Sequence, residues 1–130
     1  MRLRIVVADD HAGMLEWLTT RLAQEFEVAA SVRDAEVAIA EIKRCDPDVV
    51  VLDLAMKPIN GLEVIRRLRE SGNQVPAVLI TGYTDPMLRD AAFSAGAQGF
   101  VVKSRLAEDL VPAVLEAAKK KSSTPKKSGA

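Results

Sequence analysis

Five polar side chains stand out because each follows a short apolar run. Asp9 and Asp10 come after residues 3–8, Asp53 after 49–52, Thr81 after 76–80 and Lys103 after 98–102. Carboxylates gathered in one place repel and push at least one proton affinity upward. A hard cation with oxygen ligands relieves this. Mg²⁺ suits the set, since it takes one or two carboxylates, keeps several waters and meets a phosphate oxygen. A carboxylate can also act as a nucleophile and form an aspartyl-phosphate. The charge spread over three phosphoryl oxygens then needs cations and donors, which Mg²⁺, Lys103 and the Thr81 hydroxyl supply. These residue types therefore point to Asp53 as a phosphoryl acceptor.

That chemistry requires residues far apart in sequence to meet, so the elements carrying them matter. The run Val49, Val50, Val51, Leu52 has no polar interruption and reads as a strand buried on both faces. Residues 3–8, 26–30, 76–80 and 98–102 read as four more strands, that at 26–30 weaker, partly polar and expected at an edge. Between them lie helical stripes: Met14, Leu15, Leu18, Leu22; Val37, Ala38, Ile39, Ile42, Cys45; and Leu62, Ile65, Leu68. Asp34 is placed to cap a helix, Asn60 with Glu63 resembles a capping box, and Asp85-Pro86 is an N-cap followed by proline at the first helical position. Gly72 and Gly96 stand where helices end. The last helix is expected over 108–120, with Pro112 in its first turn or bending it.

Five βα units in alternation predict an α/β fold, a flavodoxin-like three-layer sandwich. Its parallel five-stranded sheet should run in the order 2-1-3-4-5 with right-handed crossovers. Ligands of such sheets bind beyond the carboxyl ends of the strands, where all five polar residues fall.

The bulk composition sets bounds. A chain of 130 residues with 48% hydrophobic content is sized for one domain with its own core. Residues 1–120 are expected to form it, and the lysine-rich 121–130 a disordered tail or linker. The single cysteine, Cys45, excludes an intrachain disulfide. No apolar run is long enough to span a membrane, and no signal-peptide layout opens the chain, so the expected location is cytoplasmic. Formal net charge is zero, but all 18 acids precede residue 119, and five lysines crowd the last twelve positions. The body is thus mildly acidic and a poor nucleic-acid binder on charge alone.

Taken together, the chain resembles the receiver (CheY-like) domain of bacterial two-component response regulators over about residues 2–120. The resemblance is carried by Asp9-Asp10, by Asp53-Leu54-Ala55-Met56 with Gly61 eight residues after Asp53, by Thr81-Gly82, and by Phe100-Val101-Val102-Lys103. The stretch Gly61-Leu62-Glu63-Val64-Ile65 and residues 99–107 are similar to the LuxR/NarL-like subgroup. The resemblance implies Asp53 as phosphoacceptor and Mg²⁺ held by Asp10, Asp53 and the Ala55 backbone carbonyl, with Asp9 acting indirectly. It further implies Thr81 and Lys103 on the phosphoryl group, Thr81 and Phe100 as switch residues, and Ala55 and Tyr83 as candidates for tuning the rate. Its implied partners are a histidine kinase or phosphotransfer protein, and an output partner or C-terminal effector domain. A phosphorylation-dependent homodimer is also implied, with no direct nucleic-acid binding by this chain. The activity it implies is that of a phosphoacceptor switch with self-catalysed transfer and autodephosphorylation, rather than that of an enzyme. Two departures touch only loops: Lys57 stands where the family often has proline after the methionine, and Ser104 where it often has proline after the lysine.

Other residues read more plainly. His11 suits a helix start, since no second histidine exists to share a metal. Trp17 lies off its helix's apolar stripe and is expected half-exposed. Nucleotide or flavin enzymes of this fold need a glycine-rich phosphate loop, and Gly13 stands alone in the first turn. A dehalogenase-type phosphatase needs Asp-x-Asp after its first strand, whereas the acids here are adjacent. The remaining alternative is a non-phosphorylated pseudo-receiver that serves as a constitutive protein-interaction module.

Overall fold

The computed structural model describes residues 2–123, with side chains through Lys120. Five strands alternate with five helices: β1 Arg4–Ala8, α1 Ala12–Ala23, β2 Glu27–Val32, α2 Ala35–Cys45, β3 Val49–Asp53, α3 Gly61–Glu70, β4 Ala77–Thr81, α4 Pro86–Ser94, β5 Gly99–Val102 and α5 Leu106–Ser123. The strands form one sheet in the order β2-β1-β3-β4-β5, every pairing parallel. This is the expected flavodoxin-like arrangement, with β2 at an edge.

Strand alternation divides the core in two. Ile5, Val7, Val49, Val51, Val78, Ile80 and Val101 pack with Leu15, Leu18 and Leu22 of α1 and Leu110, Val114 and Ala117 of α5. Val6, Ala8, Val50, Leu52, Ala77 and Leu79 face the other way, toward α2, α3 and Ala92 of α4. Every residue of β3 and β4 is buried, so their runs are apolar without alternation, as helices on both faces demand.

The caps follow the sequence. Asp34 accepts a hydrogen bond from the Val37 amide, Asn60 from Glu63 and Asp85 from Met87. The box at Asn60 is half made, because the Glu63 carboxylate pairs with Arg66 and Arg67 instead. Gly72 and Gly96 adopt positive φ, where a side chain would be strained.

Five expectations need correction. β2 runs to Val32 rather than ending at residue 30, since Val6, Val7 and Ala8 offer partners to Ala30, Ser31 and Val32. Val37 is exposed on α2, and Val64 is fully buried on α3 where Leu62 is only partly so. The last helix starts at Leu106, so Pro112 sits beyond its first turn. Pro112 and Glu108 are both exposed, so the carbonyl that loses its helical donor faces water. The helix also continues through Ser123, so the expected disorder at 121–123 is replaced by helical backbone. Residues 124–130 of the expected tail lie outside the described residues.

Candidate functional site

The site is built by register. Ala8 pairs with Leu52 across β1 and β3, so the next residues on each strand, Asp9 and Asp53, leave the sheet side by side. Both belong to the α1/α5 face by alternation, and so does Lys103, two residues beyond Val101. Lys103 Nζ accordingly lies 3.1 Å from Asp53 Oδ1 and 3.6 Å from Asp9 Oδ2. Asp10 completes the group, with one carboxylate oxygen from each of Asp9, Asp10 and Asp53 within 4.8 Å of the others.

Burial makes this arrangement expensive. Asp9 and Asp53 are 0% and 2% exposed, and Asp10 is half-buried. Two unit charges some 5 Å apart repel by roughly 3 kcal/mol in a partly screened site. Burial pushes the Asp9 carboxyl above the ordinary carboxylate range. The His11 amide and Lys103 pull it back, while Asp53 and Asp10 push it further up. For Lys103, burial lowers the ammonium, but bonding to Asp53 and the charges of Asp53 and Asp9 outweigh it and hold it above its ordinary value. One ammonium for three carboxylates leaves the cluster negative.

Local structure fixes the acids. Asp9 Oδ1 accepts from the His11 amide at 2.9 Å, and His11 Nδ1 caps α1 by accepting from Met14 at 3.1 Å. His11 is therefore the helix-start residue its position suggests. Among the described residues, Asp9 Oδ2 and Asp53 Oδ1 face only the Lys103 ammonium and have no other donor. Buried carboxylate oxygens held in this state, beside a third acid, are a donor set for a hard divalent cation, and Mg²⁺ fits it.

The other predicted residues surround this group. Thr81 is buried at the end of β4, where its Oγ1 accepts from the Tyr83 amide at 3.1 Å. Tyr83 itself is 67% exposed and Ala55 is exposed in the loop after β3. That loop is fastened by Leu54 N to Ile80 O and Gly61 N to Leu54 O. Phe100 is half-buried against the α2/α3/α4 core, with the Arg89 guanidinium 5.8 Å from its ring centre. Lys103 opens a 3₁₀ turn, Lys103–Arg105, so the chain after it is ordered without proline. A cleft of about 290 Å³ beside Lys103 is lined by Met14, Trp17, Ser104, Leu106 and Ala107.

Sequence reasoning passed over Arg33. Its Nε and Nη2 both donate to the Asp10 carbonyl, at 3.4 and 3.2 Å. The signal existed: Arg33 follows β2 as Asp9 follows β1, but only once β2 is carried to Val32.

The profile of the response regulator receiver domain family matches residues 5–115. The chain belongs to the response regulator receiver family. The receiver is 35% identical over 114 residues to the DNA-binding response regulator MtrA of Mycobacterium tuberculosis, covering 88% of this chain and 50% of the relative. It is 30% identical to the transcriptional regulatory protein LnrK of Bacillus subtilis, over 87% of this chain and 52% of that protein. The receiver thus spans about half the length of these curated relatives. Among solved structures, the receiver domain of the response regulator NarL from Mycobacterium tuberculosis superposes with a TM-score of 0.82 at 30% identity, covering 91% of this chain and 97% of the other. A LuxR-family regulator from Aurantimonas gives a TM-score of 0.83 at 28% identity, over 92% of this chain and 87% of that one, which agrees with the subgroup resemblance. No helix among the receiver's described residues is long and apolar enough to cross a membrane.

Proposed function

We propose that this receiver is a phosphorylation switch in which Asp53 accepts a phosphoryl group from the phosphohistidine of a kinase or phosphotransfer protein. An Asp53 carboxylate oxygen forms the new P–O bond as the donor's P–N bond breaks, and imidazole leaves. Water later attacks phosphorus, returning the carboxylate and releasing inorganic phosphate. Mg²⁺ would be held by Asp10, Asp53 and the Ala55 carbonyl, with Asp9 acting indirectly, and it supplies charge neutralisation on the phosphoryl oxygens. Lys103 stabilises the same oxygens, and the Thr81 hydroxyl, released from Tyr83, donates to them. Movement of Thr81 draws in the loop after β4, and Phe100 follows inward, changing the surface of α4, β5 and α5. An output partner, an effector domain or a second copy reads that surface, with no direct nucleic-acid contact by this chain. Ala55 and Tyr83 tune access to the phosphoryl group. The setting is cytoplasmic.

One observation carries this reading: a buried Asp53 oxygen without an ordinary hydrogen bond, 3.1 Å from Lys103 and clustered with two further acids. Treatment with acetyl phosphate and Mg²⁺ should add one phosphoryl mass to the intact chain, and Asp53→Asn should abolish it. Undiminished labelling of that variant contradicts the assignment. An unlabelled wild type that still holds its partner would favour the constitutive module instead.

A further inference from the structure

We infer that Arg33 receives the phosphoryl donor, its guanidinium fixed by Asp10 so that the opposite edge takes the donor's phosphate oxygens. This rests on Asp53 as the phosphoacceptor. Arg33 is exposed and pairs with no acid among the described residues. An exposed arginine ordinarily samples many rotamers. Here both N–H groups of one edge converge on the Asp10 carbonyl. The backbone beneath is fastened as well, since the Asp9 amide donates to Val32 O at 3.1 Å. The guanidinium is thus tied to the residue whose carboxylate joins the acid cluster, while its Nη1 has no partner among the described residues.

The charge balance gives this a purpose. Three carboxylates against one ammonium make the pocket negative, and a phosphorylated donor is itself an anion. A second cation at the mouth offsets that repulsion on approach. Guanidinium is suited to the task, because its planar fork matches two phosphate oxygens and it stays charged. The loop after β3 is tied to the same segment, since the Ala35 amide donates to Lys57 O, and Lys57 is exposed. Arg33 neither gives nor takes a proton. It holds donor oxygens while Asp53 attacks phosphorus and the donor's leaving group departs.

The test compares wild type, Arg33→Lys and Arg33→Ala as full chains. Acetyl phosphate is the donor at saturating Mg²⁺, over a range of ionic strength, with Mg²⁺ affinity measured separately by calorimetry. Arg33→Ala should lower the second-order rate constant about three- to tenfold and flatten its dependence on salt. Its Mg²⁺ affinity should be unchanged or tighter, because a positive charge has left the rim. Arg33→Lys should fall between, keeping charge but not the fork. An unchanged rate in Arg33→Ala overturns the inference, as does a rate loss matched by an equal loss of Mg²⁺ affinity, which would make Arg33 only a tether for Asp10. Absence of labelling in the wild type would strike the switch itself, and this inference with it.

Discussion

Gly61 begins α3 so close to Asp53 that a Cβ there would stand 2.5 Å from the Asp53 carbonyl oxygen and 2.9 Å from Leu79 Cδ1. Both neighbours are firm: one is backbone in the central strand, the other a fully buried core side chain. Gly61→Ala should therefore force β3 and α3 apart and cost about 1–3 kcal/mol, as overpacked sites do. Urea unfolding should show the loss. Phosphorylation should slow as well, because the strain lands on the residue carrying the carboxylate.

Asp9→Asn should stabilise the chain. Asparagine keeps the acceptor for the His11 amide and removes one of three crowded charges. The gain should be about 1 kcal/mol at neutral pH, measured by chemical denaturation. Its pH dependence follows from burial, which holds the Asp9 proton more tightly in the folded chain than in the unfolded one. Such a group adds stability as pH falls through its folded-state value and loses it as pH rises. The wild type should thus gain on the variant in acid, and Mg²⁺ affinity should drop in the variant.

Lys103→Gln should act in the opposite direction. Asp9 Oδ2 and Asp53 Oδ1 would lose the ammonium they face. A buried carboxylate left unpaired costs about 1–3 kcal/mol or more. Added Mg²⁺ should restore part of the lost melting temperature, and labelling by acetyl phosphate should fall steeply even at saturating metal.

Arg89→Ala tests the hold on Phe100. The guanidinium lies 5.1 Å from the Phe93 ring centre and 5.8 Å from that of Phe100, linking α4 to β5. Among the residues of α4, only Ala92 is buried, so this helix is otherwise lightly attached. Stability should change by less than about 1 kcal/mol, the scale of an exposed cation–π contact. With Phe100 easier to move inward, labelling should be faster. A slower rate would show that Arg89 supports the productive position of α4.

Much of this was legible because apolar runs end in polar residues. β3 and β4 are buried on both faces, so Asp53 and Thr81 mark their ends without ambiguity. The N-caps at Asp34, Asn60 and Asp85 are local and were readable for the same reason. The edge strand was not, because β2 is half-exposed and its length is decided by partners on β1 rather than by its own residues. Arg33 disappeared with that boundary. Arg69 was invisible in another way. It looks like one of several outward arginines, yet its guanidinium donates to Asn73 O, Gly96 O and Gln98 Oε1, binding α3 to the turn before β5. Only the folded chain brings those carbonyls together, and burial lowers the proton affinity of the cation they surround.

The cleft beside Lys103 has a practical side. Its wall includes Trp17, the one tryptophan in the sequence. An indole on the same cleft wall as the Lys103 ammonium should change its emission when that ammonium is drawn elsewhere. Trp17 is thus expected to serve as an intrinsic optical reporter, through which occupancy of the acidic pocket is followed in real time without attaching a dye.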